Sequence, residues 1–226
     1  MTNEEKGKRG RSVTSRLYRL TWEISWTLLV RWIPRSMFTP WKRFILRLFG
    51  AKISKEAIVY SSSKIHDPRK LVMEGKSRIA PDVNLYNADT VTIKDGATVS
   101  QWSYIYSGSH NVNSPELNPI YKPVVIGENA WIATCATVGM GVHVGRGAIV
   151  GVNCVVSKDI PPYAIVTGNP AKIVGFRYKP EEIIEMEKKI FKEEDRLPED
   201  VVMKNYKRYF LDCLDNIQKF TNMRLK

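Results

Sequence analysis

The sequence of 226 residues has few side chains that could form disulfides or metal sites, with three cysteines and three histidines. Three cysteines are too few and odd in number for a disulfide framework. We expect Cys135 and Cys154 to be packing residues and Cys213 to have no functional role. The histidines are 44 and 33 positions apart, and the sequence offers no obvious metal cluster. The composition therefore predicts a protein without disulfides or a metal site.

The sequence also lacks an apolar run long enough to cross a bilayer. The longest run near the N-terminus, Ile24 to Val30, is far shorter than the ~20 residues of a membrane-spanning helix. No signal peptide is evident, because the basic segment from Lys6 to Arg11 is followed by no uncharged core with a small-residue cleavage site. We therefore expect a cytoplasmic protein.

Acidic residues are in deficit, since 35 basic and 23 acidic residues give a formal net charge of +12. Such a balance attracts nucleic acid, anionic membrane surfaces and phosphorylated cofactors. Zinc-finger spacing, RNA-binding aromatic motifs and long basic helices are all missing from the sequence. We therefore expect no nucleic-acid partner, and a phosphorylated cofactor or an anionic membrane accounts for the charge more economically.

A fixed period of six residues organises the segment from Ile126 to Ile160. This period matches neither a 3.6-residue helix nor an alternating strand, and it indicates a solenoid of short flat segments. Glycine follows the repeated aliphatic at four places, which suits corners where a Cβ would crowd the backbone. The repeated aliphatic residues are Ile126, Ile132, Val138, Val144, Val150 and Val156, and the apolar residues four places later are Ala130, Ala136, Val142, Ala148, Cys154 and Ile160.

Before this segment the repeat is looser, running from Ile53 to Ile105 with slips at Leu71 and again after Leu85. The polar segment 107–123 then breaks the period, and a loop that leaves a regular solenoid is where function tends to be placed. We divide the chain into a tail and amphipathic helices (residues 1–50), the solenoid with its extruded loop (51–175) and C-terminal helices (176–226).

Two helices are predicted before the solenoid. From Val13 to Ile33 the apolar residues occupy more than one face, and that surface must be buried. It could pack on the solenoid or a neighbouring subunit, or lie at the inner face of a membrane with Trp and Arg at the headgroups. From Trp41 to Phe49 the spacing is amphipathic, and this helix is expected to cap the open end of the solenoid. Pro180 opens one C-terminal helix and Pro198 another.

Four motifs on this repeat carry a resemblance to a known family. They are a Gly108-Ser109-His110 loop, Trp131-Ile132-Ala133, the segment from Val155 to Pro162, and the segment from Gly168 to Lys172. Together they cover about residues 43 to 178. The sequence resembles the hexapeptide-repeat acyltransferases, most closely the sugar O-acetyltransferases of the maltose, galactoside, nodulation and colanic-acid type.

The resemblance implies a mainly β fold, a left-handed parallel β-helix with eighteen residues per coil and α-helical segments at both ends. It also implies a homotrimer with its sites between neighbouring solenoids, and acetyl-CoA as co-substrate without a metal. The implied reaction is acetyl transfer to a hydroxyl of a saccharide or glycoconjugate, in surface polysaccharide or lipopolysaccharide biosynthesis.

His110 is the predicted catalytic residue. Acetyl transfer to an alcohol needs a base, and a neutral imidazole is the usual one at physiological pH. His110 stands where the family's catalytic histidine precedes the extruded loop. The sequence leaves open whether a backbone carbonyl or a carboxylate orients its ring. His66 and His143 are expected to be structural or exposed.

The resemblance also assigns binding residues, and two sets follow from it. The coenzyme A contacts are predicted at Trp131, Ala133, Thr134, Val152, Ser157, Lys158, Lys172 and Arg177. The last two are cations suited to its phosphates. The acceptor contacts are predicted at Asn84, Asn87, Asp89, Gln101 and Tyr106, where polar groups could pair with sugar hydroxyls.

Three other functions remain open at this point. An antibiotic-modifying or amino-sugar N-acetyltransferase would keep the chemistry and change the acceptor. A catalytically silent trimeric scaffold would keep only the fold. The zinc carbonic anhydrases resemble this chain in the repeat, but they need three histidine ligands, two of them close in sequence, and the histidines here do not provide that pattern.

Overall fold

A computed structural model describes residues 13–34 and 37–209, which form a solenoid of short strands with helices at both ends. The helices are α1 (Val13–Leu29), α2 (Thr39–Leu48) and α3 (Pro180–Ile190), with 3₁₀ turns at Pro68–Lys70 and Glu193–Asp195; residues 199–209 are also helical. The strands are β1 (Lys52–Ile53), β2 (Ile58–Val59), β3 (Lys64–Ile65), β4 (Leu71–Met73), β5 (Arg78–Ile79), β6 (Asn84–Tyr86), β7 (Val91–Ile93), β8 (Thr98–Val99), β9 (Tyr104–Tyr106), β10 (Gly108–His110), β11 (Pro119–Tyr121), β12 (Val124–Ile126), β13 (Trp131–Ile132), β14 (Thr137–Val138), β15 (His143–Val144), β16 (Ile149–Val150), β17 (Val155–Val156), β18 (Ala164–Thr167) and β19 (Lys172–Phe176).

Successive strands are distributed over three parallel sheets that run along the solenoid. The first sheet has the order β1-β4-β7-β12-β15, the second β2-β5-β8-β13-β16-β18, and the third β3-β6-β9-β14-β17. Strand β19 pairs antiparallel with β18 at the end of the second sheet. Each coil gives one strand to each sheet, and the predicted parallel β-solenoid is confirmed.

The solenoid axis is filled by the aliphatic residues that the six-residue period marks. Ile126, Ile132, Val138, Val144 and Val150 have no exposed surface, and the small residues four places later are buried as well. Burying one such side chain stabilises a fold by about 1.5–3 kcal/mol. Because aliphatic residues of successive coils stack on one another, this row is the main source of stability of the solenoid.

The two slips in the repeat are places where a coil is longer. The pairing of Ile53 with Met73 and of Met73 with Ile93 makes the early coils 20 residues long, whereas Ile126 pairs with Val144 after 18. In the first of them the additional residues form the 3₁₀ turn Pro68–Lys70. The inward aliphatic residues keep their register because the additional residues lie at a corner.

The predicted crowding beside the inward residues is real at Gly145. A Cβ added there would lie 2.4 Å from the Pro162 nitrogen and 2.7 Å from the Ile160 carbonyl oxygen. Both are backbone atoms of the next coil, so no side-chain rotation could relieve the contact. Glycine at this position therefore allows adjacent coils to approach.

Helices α1 and α2 cover the first coils. Ile45 and Leu46 of α2 are buried, and the Arg47 guanidinium donates twice to the Ile53 carbonyl, at 2.6 and 3.0 Å. Helix α2 therefore lies at the predicted end of the solenoid, although Trp41, Phe44 and Leu48 of its predicted apolar face are exposed. Helix α1 ends at Leu29, four residues earlier than predicted, and Trp22 Nε1 donates to the Ile65 carbonyl at 2.7 Å. One face of α1 thus packs on the solenoid.

A buried polar cluster attaches α3 to the other end. Arg146 Nη1 donates to Glu187 Oε2 at 2.7 Å, and the Tyr163 hydroxyl also donates to this carboxylate. Glu187 and Tyr163 are both buried, and the guanidinium of Arg146 compensates the charge of the buried carboxylate. The helix predicted after Pro198 is also present, although its residues from Phe210 onward lie outside the described residues.

The cysteine predictions have different outcomes. Cys154 is buried and packs in the core, where burial raises the pKa of its thiol to about 11. Cys135 is exposed at a corner with a φ of 59°, so the prediction that it packs inside was wrong. A six-residue period places a residue near a corner without saying on which side it lies. Cys213 lies outside the described residues.

None of the helices within residues 13–34 and 37–209 is both long and apolar enough to cross a bilayer.

Candidate active site

The segment that breaks the repeat folds as a β-hairpin. Strands β10 and β11 pair antiparallel, with Gly108 opposite Tyr121 and His110 opposite Pro119. The hairpin leaves the solenoid after β9 of the third sheet and returns before β12 of the first sheet. It therefore projects from the corner between these two sheets and carries His110 away from the core.

A backbone carbonyl holds the His110 ring. His110 Nδ1 lies 2.6 Å from the Leu117 carbonyl oxygen, across the hairpin. A carbonyl oxygen can only accept, so Nδ1 carries the proton and the lone pair of the neutral ring is at Nε2. Leu117 has a φ of 49°, in the left-handed region that side chains rarely adopt. The hairpin thus selects the tautomer in which Nε2 can act as a base.

His110 opens onto a groove of about 430 Å³, which we call the His110 groove. Its lining residues are Tyr86, Tyr104, Tyr106, Gly108, Ser109, His110, Pro119 and Tyr121. Tyr106 was predicted, whereas Tyr86, Tyr104 and Tyr121 were not. Burial, with a contribution from the neighbouring tyrosines, raises the pKa of Tyr104. Four phenolic hydroxyls beside an imidazole suit a ligand that carries several hydroxyl groups.

A row of outward residues on the third sheet leads away from this groove. Tyr86 pairs with Tyr106, and the same position in the next two coils is Gly139 and Ser157. A Cβ at Gly139 would lie 3.0 Å from the Tyr106 hydroxyl oxygen. Because Gly139 has no side chain, the Tyr106 ring can lie over it, in line with Ser157 of the next coil.

Ser157, Lys158 and Lys172 line a second cavity of about 490 Å³, the Lys172 cavity. All three were predicted as coenzyme A contacts. Lys158 follows β17, and Lys172 is the first residue of β19. Within the described ranges neither lysine forms an ion pair. The cavity therefore offers two cations to an anionic ligand.

The other predicted cofactor residues lie elsewhere on the chain. Trp131 faces outward from the second sheet, 47% exposed, with Nε1 donating to Ser100 Oγ at 2.8 Å. Thr134 and the exposed Val152 occupy the corner that follows this sheet, and Ala133 is 3% exposed. Within one chain, Trp131 therefore lies on a different sheet from the two that flank the His110 hairpin.

Arg177 is not at the Lys172 cavity. Its Nη1 donates to the Gly147 carbonyl at 3.0 Å, and its guanidinium lies 5.3 Å from the centre of the Tyr178 ring. The antiparallel pairing of β18 with β19 carries the chain back along the sheet, which separates Arg177 from Lys172. The structure does not bring these two predicted phosphate contacts together.

The predicted acceptor contact at Asn87 is corrected. Asn87 has no exposed surface. Its Oδ1 accepts from the backbone N–H groups of His66 and Asp67, both at 3.0 Å, and its Nδ2 donates to the Asp67 carbonyl at 2.6 Å. This amide joins two consecutive corners of the solenoid, and it is out of reach of a ligand.

The remaining acceptor residues are dispersed. Asn84 is exposed and lines a third groove of about 370 Å³ between α1 and the third sheet, here the α1 groove. Tyr86 lines both this groove and the His110 groove, so the two grooves are adjacent. Asp89 lies at the base of the hairpin, where its carbonyl accepts from Ser107 Oγ at 2.8 Å. Gln101 occupies the corner that Thr134 occupies one coil later.

The other two histidines are placed as expected. His143 is exposed on the first sheet. His66 is half-buried in the α1 groove, with Nε2 3.3 Å from Arg19 Nη1 and its ring 4.7 Å from that of Tyr86. In the described part of the chain, no three His, Cys, Asp or Glu side chains cluster as metal ligands would.

Comparison with solved structures defines the class of this architecture. A hexapeptide-repeat acetyltransferase of Vibrio cholerae, complexed with acetyl coenzyme A, matches with a TM-score of 0.65 at 23% identity over 79% of this chain and 100% of that one. A galactoside acetyltransferase complexed with coenzyme A matches with a TM-score of 0.69 at 18% identity over 88% and 99% of the two chains. At these identities the likeness shows a shared fold.

The sequence comparison is more specific. The chain is 37% identical over 176 residues to a candidate colanic acid biosynthesis acetyltransferase, WcaF, of Escherichia coli K12, and the match spans 78% of this chain and 94% of the relative. No family model matches the sequence. Because the identity extends over nearly the whole relative, the chain belongs to the hexapeptide-repeat acetyltransferases. The predictions of the family and of an acyltransferase are confirmed.

We predict that Asn87→Ala destabilises the protein, whereas Asn84→Ala does not. Removing the buried amide leaves backbone groups of the adjacent corner unpaired, at a cost of about 2–3 kcal/mol in the free energy of unfolding. Asn84 is exposed and serves as the matched control. Urea denaturation of both variants measures the difference. Equal stability of the two variants would show that the corner does not depend on Asn87.

Proposed function

We propose that the protein transfers an acetyl group from acetyl-CoA to a hydroxyl group of a saccharide or glycoconjugate, with His110 as the general base. The observation that carries this proposal is the bond from His110 Nδ1 to the Leu117 carbonyl, which leaves Nε2 free to accept a proton. His110 lines the same groove as four tyrosines. Such a groove can hold a polyhydroxylated acceptor and contains a base for its deprotonation.

The proposed chemistry is direct transfer within a ternary complex. His110 Nε2 takes the proton of the acceptor hydroxyl while its oxygen attacks the thioester carbonyl carbon. Collapse of the tetrahedral intermediate breaks the carbon–sulfur bond, and the proton on the imidazole passes to the departing thiolate. Backbone N–H groups are the proposed donors to the oxyanion. Placing both reactants in one site supplies much of the rate increase by proximity.

The Lys172 cavity is the proposed position of the coenzyme A phosphates. Lys158 and Lys172 supply positive charge there, and Ser157 a hydroxyl. Tyr106 of the His110 groove lies over Gly139, and Gly139 is in line with Ser157 of this cavity. A ligand along this path would have its anionic end at the lysines and its reactive end near His110.

We further propose that the active form is a homotrimer and that each site lies between two subunits. Trp131, Thr134 and Val152 are predicted coenzyme A contacts. Trp131 lies on the second sheet, whereas the hairpin of His110 leaves the solenoid at the corner between the third and first sheets. A neighbouring solenoid could bring its second sheet to that corner. Residues 51–175 would then be the catalytic domain, with the helical ends outside it.

The acceptor part of the proposal rests on the two adjacent grooves and on the relative from Escherichia coli. Tyr106 and Tyr86 line the groove of the base, and Asn84 faces the α1 groove beyond. Together they could accommodate a saccharide longer than one sugar. A cytoplasmic role in surface polysaccharide or lipopolysaccharide assembly fits such an acceptor. An antibiotic or an amino sugar is the alternative acceptor that a substrate screen would include.

We predict that His110→Ala lowers turnover by about 10²–10⁴-fold because the base is lost, while binding of coenzyme A is retained. His143→Ala, at an exposed histidine outside the groove, is the matched control and should leave turnover unchanged. Thiol release from acetyl-CoA in the presence of acceptor measures the rate. Wild-type turnover by His110→Ala would contradict the assignment of His110.

A mixed trimer tests the position of the site between subunits. We predict that His110→Ala and Trp131→Ala are each poorly active alone, and that randomly co-assembled trimers recover about one quarter of wild-type activity. One in four interfaces then pairs an intact His110 with an intact Trp131 from the neighbour, because a cyclic trimer has identical head-to-tail interfaces. Absence of any recovery would show that each chain supplies both residues to its own site.

A further inference from the structure

Helix α1 has two apolar faces, and the solenoid uses one of them. Trp22, Trp26 and Val30 are buried against the coils. The opposite face carries apolar side chains at helical spacing, with exposed fractions between 49% and 81%. These five residues are Val13, Leu17, Leu20, Ile24 and Leu28. Packing on the solenoid requires a single apolar stripe, so the second stripe has no role in the fold described above.

Helix α2 continues this exposed stripe. Trp41 Nε1 donates to the Leu29 carbonyl at 3.0 Å, and the Trp41 ring stacks on Phe44 with centroids 5.6 Å apart. Trp32 and Phe38, between the helices, are 76% and 63% exposed. We call the second stripe of α1 together with Trp32, Phe38, Trp41, Phe44 and Leu48 the N-terminal apolar surface.

The exposure of large apolar side chains is concentrated at this end of the molecule. Of the twenty large apolar side chains exposed in the described residues, twelve lie between Val13 and Leu48. Isolated exposed apolar residues need no explanation, whereas a contiguous group on two adjoining helices marks an interaction site.

The net charge is concentrated there as well. The first fifty positions hold eleven of the 35 basic residues and three of the 23 acidic ones. Eleven minus three gives +8, out of +12 for the whole chain. Within α1 and α2, Glu23 is the one acidic residue. Arg16 of α1 and Arg31, which follows this helix, are exposed. The partner of this surface must therefore be both apolar and tolerant of strong positive charge.

We propose that the N-terminal apolar surface binds an anionic lipid bilayer, with α1 and α2 lying in the plane of the interface. An interfacial helix combines an apolar face with cationic side chains, and its affinity grows with acidic lipid. Tryptophan, here at Trp32 and Trp41, is enriched at the headgroup level. Helix α1, with 17 residues, is about 25 Å long and lies along the surface rather than crossing it.

Charge favours lipid over a second copy of the same surface. A copy would bring the same excess of basic over acidic residues to the contact, including the exposed Arg16 and Arg31, and like charges placed together oppose association. An anionic bilayer offers hydrocarbon to the apolar stripe and phosphate to the arginines. This proposal uses residues outside the His110 groove and the Lys172 cavity, so it is independent of the acetyl-transfer proposal.

Co-sedimentation of the full-length protein with vesicles tests the proposal. We expect binding to vesicles of phosphatidylcholine with about one third phosphatidylglycerol to be at least tenfold stronger than to pure phosphatidylcholine, and to weaken as salt is raised. Ile24→Ser should lower the partition coefficient about tenfold. Ile190→Ser is the matched control, since Ile190 is 57% exposed on α3, and it should bind as the wild type does.

Two charge-reversal variants keep the test valid if an apolar substitution impairs folding. Arg31→Glu should weaken binding to the anionic vesicles several-fold, whereas Lys204→Glu, an exposed lysine of the last helix, should not. A cooperative urea unfolding transition like that of the wild type shows that each variant is folded. Failure of the folded wild type to bind anionic vesicles would overturn the proposal. Equal loss in Ile24→Ser and Ile190→Ser would also overturn it, as would dissociation of the oligomer by Ile24→Ser without any vesicle binding.

Discussion

The stack of aliphatic side chains on the solenoid axis is the constraint on which the rest of the structure depends. Ile93, Ile126 and Val144 pair in register from coil to coil, and each has no exposed surface. A one-residue slip would turn the core residues of that strand outward. Because the inward positions are fixed, every outward position is fixed too, and residues distant in sequence form continuous rows along each sheet.

The candidate site consists of one of these rows and of the β10–β11 hairpin, which leaves the solenoid. Tyr86, Tyr106, Gly139 and Ser157 follow one another on the third sheet, and the hairpin leaves the solenoid beside Tyr106. The same geometry limits what a single chain can assemble, since Trp131 belongs to a different sheet. The proposed subunit interface thus follows from the three-sided cross-section of the solenoid.

The solenoid and the position of His110 could be predicted because both depend on local patterns. The six-residue period marks the inward residues directly, and the segment rich in Gly, Ser, Asn and Pro marks the hairpin. The role of Asn87 could not be predicted, because it depends on three backbone groups of the previous coil that need hydrogen-bond partners. The grouping of tyrosines at the His110 groove could not be predicted either, because it depends on the strand register between coils that are 20 residues apart. The separation of Arg177 from Lys172 could not be predicted, because it results from the antiparallel pairing of β18 with β19.

Calorimetric titration with acetyl-CoA tests the central claim, acetyl transfer from acetyl-CoA at this site, most directly. The account predicts roughly micromolar binding by the wild type, about −8 kcal/mol. Lys172→Ala should weaken it about tenfold through loss of a charge-assisted contact. Lys189→Ala, at a lysine of α3 that is not in the cavity, should bind as the wild type does. Absence of binding by the folded wild type would contradict the account and favour a silent scaffold.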